Sequence, residues 1–134
     1  MHELKSVHGG CLCGAVRFEA ELPSKWCAHC HCSMCRRAHG AGYVTWVGFD
    51  GSQFRLLQGD DRLAWYASSP GARRGFCRDC GSTMLFESER WAGETHVALA
   101  CIDEAIDRQP QANVFYDAHV DWMPIDESLK IVPG

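Results

Sequence analysis

No stretch of this sequence is apolar for long enough to cross a membrane as a helix, which takes about 20 residues. The first ten residues include His2, Glu3, Lys5 and His8 and hold no apolar core of a secretion leader. Long runs of like charge, low-complexity tracts and internal repeats are missing too, so nothing marks a tail, a linker or a solenoid. Basic residues are in deficit, with 13 Lys and Arg against 17 Asp and Glu and a net charge of −4. Phosphate recognition needs a clustered basic face, so neither nucleic acid nor a membrane is an expected partner. At 134 residues the chain suffices for one hydrophobic core and is short for two, and a single domain over 1–134 is expected.

Cysteine is what the chain has in excess. Nine in a secreted protein would suggest a disulfide scaffold, but the count is odd and no leader is expected, which points to a cytoplasmic chain with reduced thiols. Seven of the nine fall in a CxC (Cys11, Cys13), a CxCxxC (Cys30, Cys32, Cys35) and a CxxC (Cys77, Cys80). Spacings this close suit chelation better than cross-linking.

The chain is organised around Cys30-His31-Cys32-Ser33-Met34-Cys35-Arg36-Arg37-Ala38-His39-Gly40. A structural zinc is closed by four protein ligands, whereas three thiolates leave a position for water or a substrate atom. Ser33 is expected to cap a short helix that ends at Gly40 and puts Cys35 in its first turn, where free N–H groups favour a thiolate and an anionic ligand. The competing readings are a redox or disulfide cluster and a site whose fourth ligand lies elsewhere. Cys27, three residues before Cys30, is a candidate for that ligand; a packed small hydrophobe is the plainer reading.

Around these motifs the pattern is that of strands. Val16, Phe18 and Ala20 alternate with Arg17, Glu19 and Glu21, and Tyr43–Phe49 is β-branched and aromatic. Asp50-Gly51 reads as a hairpin, and Phe54–Leu57, Leu63–Tyr66, Thr83–Phe86 and Glu94–Ala100 follow at short intervals, which predicts an all-β fold. Cys77-Arg78-Asp79-Cys80-Gly81 is a zinc knuckle rather than a thioredoxin-type pair, because strand and not helix follows it. It needs two further ligands. Cys11 and Cys13 are the natural donors, the alternative being that Cys77 and Cys80 complete the central cluster. Cys101 reads as core, Asp103–Asp107 as one helical turn, Val114–Tyr116 as a last strand, and His119–Pro124 as a tail packed on the sheet, with His119 solvated rather than a base. The pairs Arg36-Arg37 and Arg73-Arg74 lie beside the clusters, where thiolate compensation or carboxylate binding is expected.

In combination and in this order, Gly9-Gly10-Cys11-Leu12-Cys13-Gly14, Cys30-His31-Cys32-Ser33-Met34-Cys35-Arg36 and Arg74-Gly75-Phe76-Cys77-Arg78-Asp79-Cys80-Gly81 resemble the glutathione-dependent formaldehyde-activating enzyme family, which also includes centromere protein V. The resemblance runs from about Gly9 to Trp122. It implies a small all-β fold of coiled antiparallel sheets stapled by zinc, with one or two short helical turns. It implies a structural zinc on Cys11, Cys13, Cys77 and Cys80 and a catalytic zinc on Cys30, Cys32 and Cys35. The implied activity is that of a carbon–sulfur lyase joining glutathione and formaldehyde as S-hydroxymethylglutathione, or the reverse, with Arg36 and Arg74 as substrate-binding candidates. The alternative is a non-catalytic scaffold with two structural zincs; a thiol redox sensor is a weaker third.

Overall fold

Eleven strands account for most of the regular structure in the computed structural model, which describes residues 5–134, so Met1–Leu4 of the N-terminal run read above lie outside the described residues. They are β1 (Ser6–Gly10), β2 (Arg17–Glu21), β3 (Trp26–Cys30), β4 (Val44–Asp50), β5 (Phe54–Gln58), β6 (Leu63–Ser69), β7 (Ala72–Cys77), β8 (Thr83–Ser88), β9 (Glu94–Ala98), β10 (Ala112–Val114) and β11 (Lys130–Ile131). One α-helix, α1 (Ser33–His39), and short 3₁₀ turns complete the set. Among the described residues no helix is long and apolar enough to cross a membrane.

The strands form two sheets. The smaller has the order β1-β2-β5 and the larger β11-β10-β3-β4-β9-β8-β7-β6. The expected alternation in β2 is borne out, with Phe18 and Ala20 buried and Glu21 exposed. Strand β4 is buried along nearly its whole length because both of its faces are covered. On one face Cys27, Val47, Val97 and Leu85 stand opposite one another across four strands and pack with Phe49 and Met84 onto Val7, Val16 and Phe18 of the small-sheet layer. On the other, Trp46 and Ala98 pack with Cys30 and Cys35 under α1. Register also aligns Trp26, Gly48, His96, Phe86, Arg74 and Tyr66 in one row across this outer face.

Several local expectations give way to tertiary structure. Asp50-Gly51 does not turn a hairpin: Gly51–Gln53 is a 3₁₀ turn that carries the chain from the large sheet to the small one, and β4 pairs with β3 and β9 instead. Gln53 fixes that crossing by donating through Nε2 to the Glu21 and Pro23 carbonyls at 3.0 and 2.8 Å. Asp103–Asp107 is not helical, because its groups are taken up elsewhere: Asp103 N donates to His8 O (2.7 Å), Glu104 accepts from His8 N (2.6 Å), and Asp107 accepts from Ser24 Oγ (2.7 Å). The last predicted strand stops at Val114, since Phe115 is left-handed (φ 53°) and Tyr116–Ala118 is a 3₁₀ turn. Strand β11, two residues long, has no pattern to read. Strand β10 lies parallel to β3, with Asn113 opposite His29 and Val114 opposite Cys30, and β11 extends that edge in parallel. A parallel neighbour needs a long crossover, which the chain between β3 and β10 supplies.

Candidate metal centres

Two turns, one from each sheet, bring four sulfurs together. After β1, Gly14 N donates to Cys11 O at 3.2 Å with Gly14 left-handed (φ 82°), folding Cys13 back beside Cys11. After β7 the same device recurs, with Gly81 N on Cys77 O at 2.8 Å and Gly81 at φ 81°. The Sγ atoms of Cys11, Cys13, Cys77 and Cys80 lie within 4.8 Å of one another, Cys11 to Cys13 at 3.6 Å and Cys13 to Cys77 at 3.8 Å. A tetrahedron of 2.3 Å zinc–sulfur bonds has edges of about 3.8 Å, so the geometry fits the metal. Backbone donors serve the sulfurs as well: Val16 N reaches Cys11 Sγ at 3.3 Å and Asp79 N reaches Cys77 Sγ at 3.4 Å. The Ser82 hydroxyl at 3.3 Å, with the Ser82 N–H, pulls the Cys80 thiol down to about 5.

The other three sulfurs gather on the outer face of the large sheet. Cys30 ends β3, and Cys35 is buried in the first turn of α1. Cys32, not Ser33, caps the helix, its Sγ accepting the Cys35 N–H at 3.2 Å, so ligand and cap are one residue. Gly40 ends the helix as expected, left-handed at φ 61°. The three sulfurs also lie within 4.8 Å of one another, a soft donor set that suits zinc, with three protein ligands and, among the described residues, no fourth. Hydrogen bonds from Cys30 and Cys35 hold the Cys32 thiol down, and the Arg74 charge adds to this; Cys30 is pushed up by the same sharing of protons.

Arg74 reaches this trio from β7. It is buried, with Nη1 and Nη2 each 3.6 Å from Cys35 Sγ and its guanidinium over the Phe86 ring at 4.8 Å. Its Nε is buried without a partner, as is that of Arg36 on α1. The neighbouring Arg73 points the other way, paired with Glu87 at 2.7 Å and stacked on Trp65 at 3.9 Å. Strand alternation thus separates the pair that the sequence presents together. The same rule removes Cys27 from the trio. Three residues from Cys30 along a strand, it faces the opposite core, fully buried, with burial pushing its thiol up to about 11. Cys101 belongs to neither cluster; it packs between the two cores, and burial holds its thiol at about 11. His119 is exposed, stacked on Tyr116 at 3.9 Å.

Two histidines of the motif, neither assigned a role from the sequence, flank the trio. His31 is buried, its Nε2 2.9 Å from Asn113 Oδ1 and its N–H on Val114 O at 3.0 Å, which ties the ligand loop to β10. His39 stands edge-on to Trp46 at 5.2 Å with Nε2 buried and unpartnered, and burial, with the Arg74 charge, pushes it down to about 4. Its place four residues after Cys35, on one helix face, was a usable signal. The aromatic floor of Trp46, Phe86 and Phe115 had none, since its members come from three distant strands or their ends. A surface groove of about 850 Å³ is lined by Arg73, Glu87 and Thr95 among others, with no cysteine among its lining residues.

The chain is similar to known proteins in sequence and in fold. Residues 6–118 match the family model described as glutathione-dependent formaldehyde-activating enzyme. A Halomonas elongata protein, provisionally described under that same name, is 30% identical over 129 residues, covering 90% of this chain and 81% of its own. An uncharacterized lyase of Schizosaccharomyces pombe is 32% identical over 83 residues, covering 62% of this chain and 58% of its own. The crystal structure of a Rhodobacter sphaeroides protein superposes with a TM-score of 0.63 at 31% identity, covering 75% of this chain and 92% of that one.

Proposed function

We propose, from the premise that this chain belongs to the glutathione-dependent formaldehyde-activating enzyme family, that it is a zinc-dependent carbon–sulfur lyase. It joins a small thiol, glutathione first among the candidates, to formaldehyde or a related aldehyde, or reverses that reaction. The thiol sulfur forms a bond to the carbonyl carbon, the C=O π pair moves to oxygen, and that oxygen takes up the proton the thiol has lost. The observation that carries this reading is a cluster of three sulfurs, not four, with a buried guanidinium against it.

Cys30, Cys32 and Cys35 would hold the catalytic zinc, and Cys11, Cys13, Cys77 and Cys80 a structural one. A zinc bound at the trio supplies a position at which an incoming thiol stays deprotonated at neutral pH. The chain's own groups set the charge around it. Three thiolates and a dication sum to −1, and Arg74 brings the buried total to zero, which lowers the cost of admitting one further thiolate. The unpartnered Nε atoms of Arg36 and Arg74 are donors for the oxygen on which charge develops. Thiolate chemistry at both clusters requires a reducing compartment, and we place the chain in the cytoplasm.

Metal analysis, thiol binding to the cobalt-substituted protein and formaldehyde turnover test this reading together. Two ions per chain are expected, with glutathione changing the cobalt spectrum of one. Cys32→Ala should lose that ion and the turnover while keeping its fold. Unfolding on that substitution, with a cobalt spectrum indifferent to glutathione, would instead mark two structural sites and a scaffold.

A further inference from the structure

Arg90 is an exposed cation that lies over two aromatic rings. Its guanidinium lies over Trp91 at 4.8 Å and over Phe115 at 5.4 Å. Some surface arginines rest on carboxylates, as Arg17 does on Asp103, Arg55 on Glu19 and Arg73 on Glu87, whereas, among the described residues, Arg37 and Arg78, like Arg90, do not. Among the described residues Arg90 has no acidic partner. A guanidinium resting on ring faces keeps its N–H fork unspent, which suits recognition of a carboxylate.

Both rings lead to the three-cysteine site. Phe115 packs against the cluster of Cys30, Cys35 and Trp46, and Trp91 reaches Phe86 at 6.2 Å, the ring on which Arg74 lies. Phe115 is also the non-glycine residue with a left-handed backbone among those described (φ 53°). Backbone bonds on either side hold it there: His31 N to Val114 O at 3.0 Å before it, and Tyr116 N to Val132 O at 3.0 Å after it. A strained residue kept by such flanking bonds, its ring between a free cation and a cysteine cluster, is the kind of outlier found at ligand clamps.

We infer that Arg90, lying over Trp91 and Phe115, is the carboxylate anchor for the thiol that enters the Cys30, Cys32 and Cys35 site. The inference rests on the lyase reading for the identity of that thiol, a small peptide bearing carboxylates, and assigns the residue that selects it over an uncharged thiol. Neither Arg36 nor Arg74 fills this role, since Arg74 is buried on Cys35 and Arg36 belongs to the helix beside it.

The test is calorimetric titration of S-methylglutathione, which keeps both carboxylates and offers no thiolate, onto the zinc-loaded full chain. Arg90→Ala should weaken binding roughly tenfold and Arg90→Lys less, while the dimethyl ester should bind wild type and Arg90→Ala alike. Equal affinity of wild type and Arg90→Ala, an equal loss with the diester, or no binding to wild type overturns the inference. Formaldehyde consumption in the same samples separates it from the lyase reading. Arg90-dependent binding without turnover removes the lyase and leaves the anchor, and turnover with glutathione binding indifferent to Arg90 does the reverse.

Discussion

Arg74 is the residue whose chemistry is most sharply defined by its surroundings. A guanidinium taken out of water needs a compensating anion, and the sulfur at 3.6 Å from two of its nitrogens is the one within reach. The dependence runs both ways, because a buried cluster of thiolates is easier to deprotonate and load beside a fixed cation. Arg74→Ala is therefore expected to lower metal affinity at the trio by roughly 10–100-fold while leaving the four-cysteine site unchanged. Chelator competition, read as two separate metal-release phases, checks this; a uniform loss from both sites would assign Arg74 a general structural part instead.

Among the elements, the outer face of the large sheet sets the floor of the site, and β4 lies at its centre. Gly48 matters there for what it leaves out. A Cβ at that position would stand 2.2 Å from Trp26 Nε1, because the indole lies across the strand to meet His96 edge-on at 4.6 Å and to donate to Glu94 at 3.2 Å. Gly48→Ala should force the indole off His96 and cost about 1–3 kcal/mol by overpacking. Chemical denaturation gives the stability, and the near-ultraviolet circular dichroism of Trp26 reports the displacement. An unchanged spectrum at wild-type stability would refute the contact. The helix that completes the site is a weaker element, seven residues with a cysteine for its cap, so its order should follow the state of its ligands.

For the whole molecule, the four-cysteine cluster is the join between the two sheets. It ties the turn after β1 to the turn after β7, 64 residues apart between Cys13 and Cys77. A metal held by all four sulfurs would bind the folded chain and not the unfolded one, so its binding free energy would add to the stability of the fold. Cys80→Ser should therefore cost about 4 kcal/mol or more and lower Tm on the order of 15 °C, far more than Cys32→Ala. Calorimetry of the two variants side by side checks the ranking, and the reverse order would mean that the trio carries the fold. Cysteine spacing marked the two pairs and the trio, because chelation within a few residues is a local property, but left open which cluster Cys77 and Cys80 complete; alternation marked β2, and β-branched and aromatic composition marked β4. Strand geometry that spacing does not encode decided the rest. It sent Cys27 and Arg73 to the faces opposite Cys30 and Arg74, moved Asp50-Gly51 from a hairpin to a crossing between sheets, and set Arg90 over Phe115. The first follows from strand alternation once those residues are strand; the other two depend on which strands become neighbours, and long-range pairing is fixed only when the two cores close.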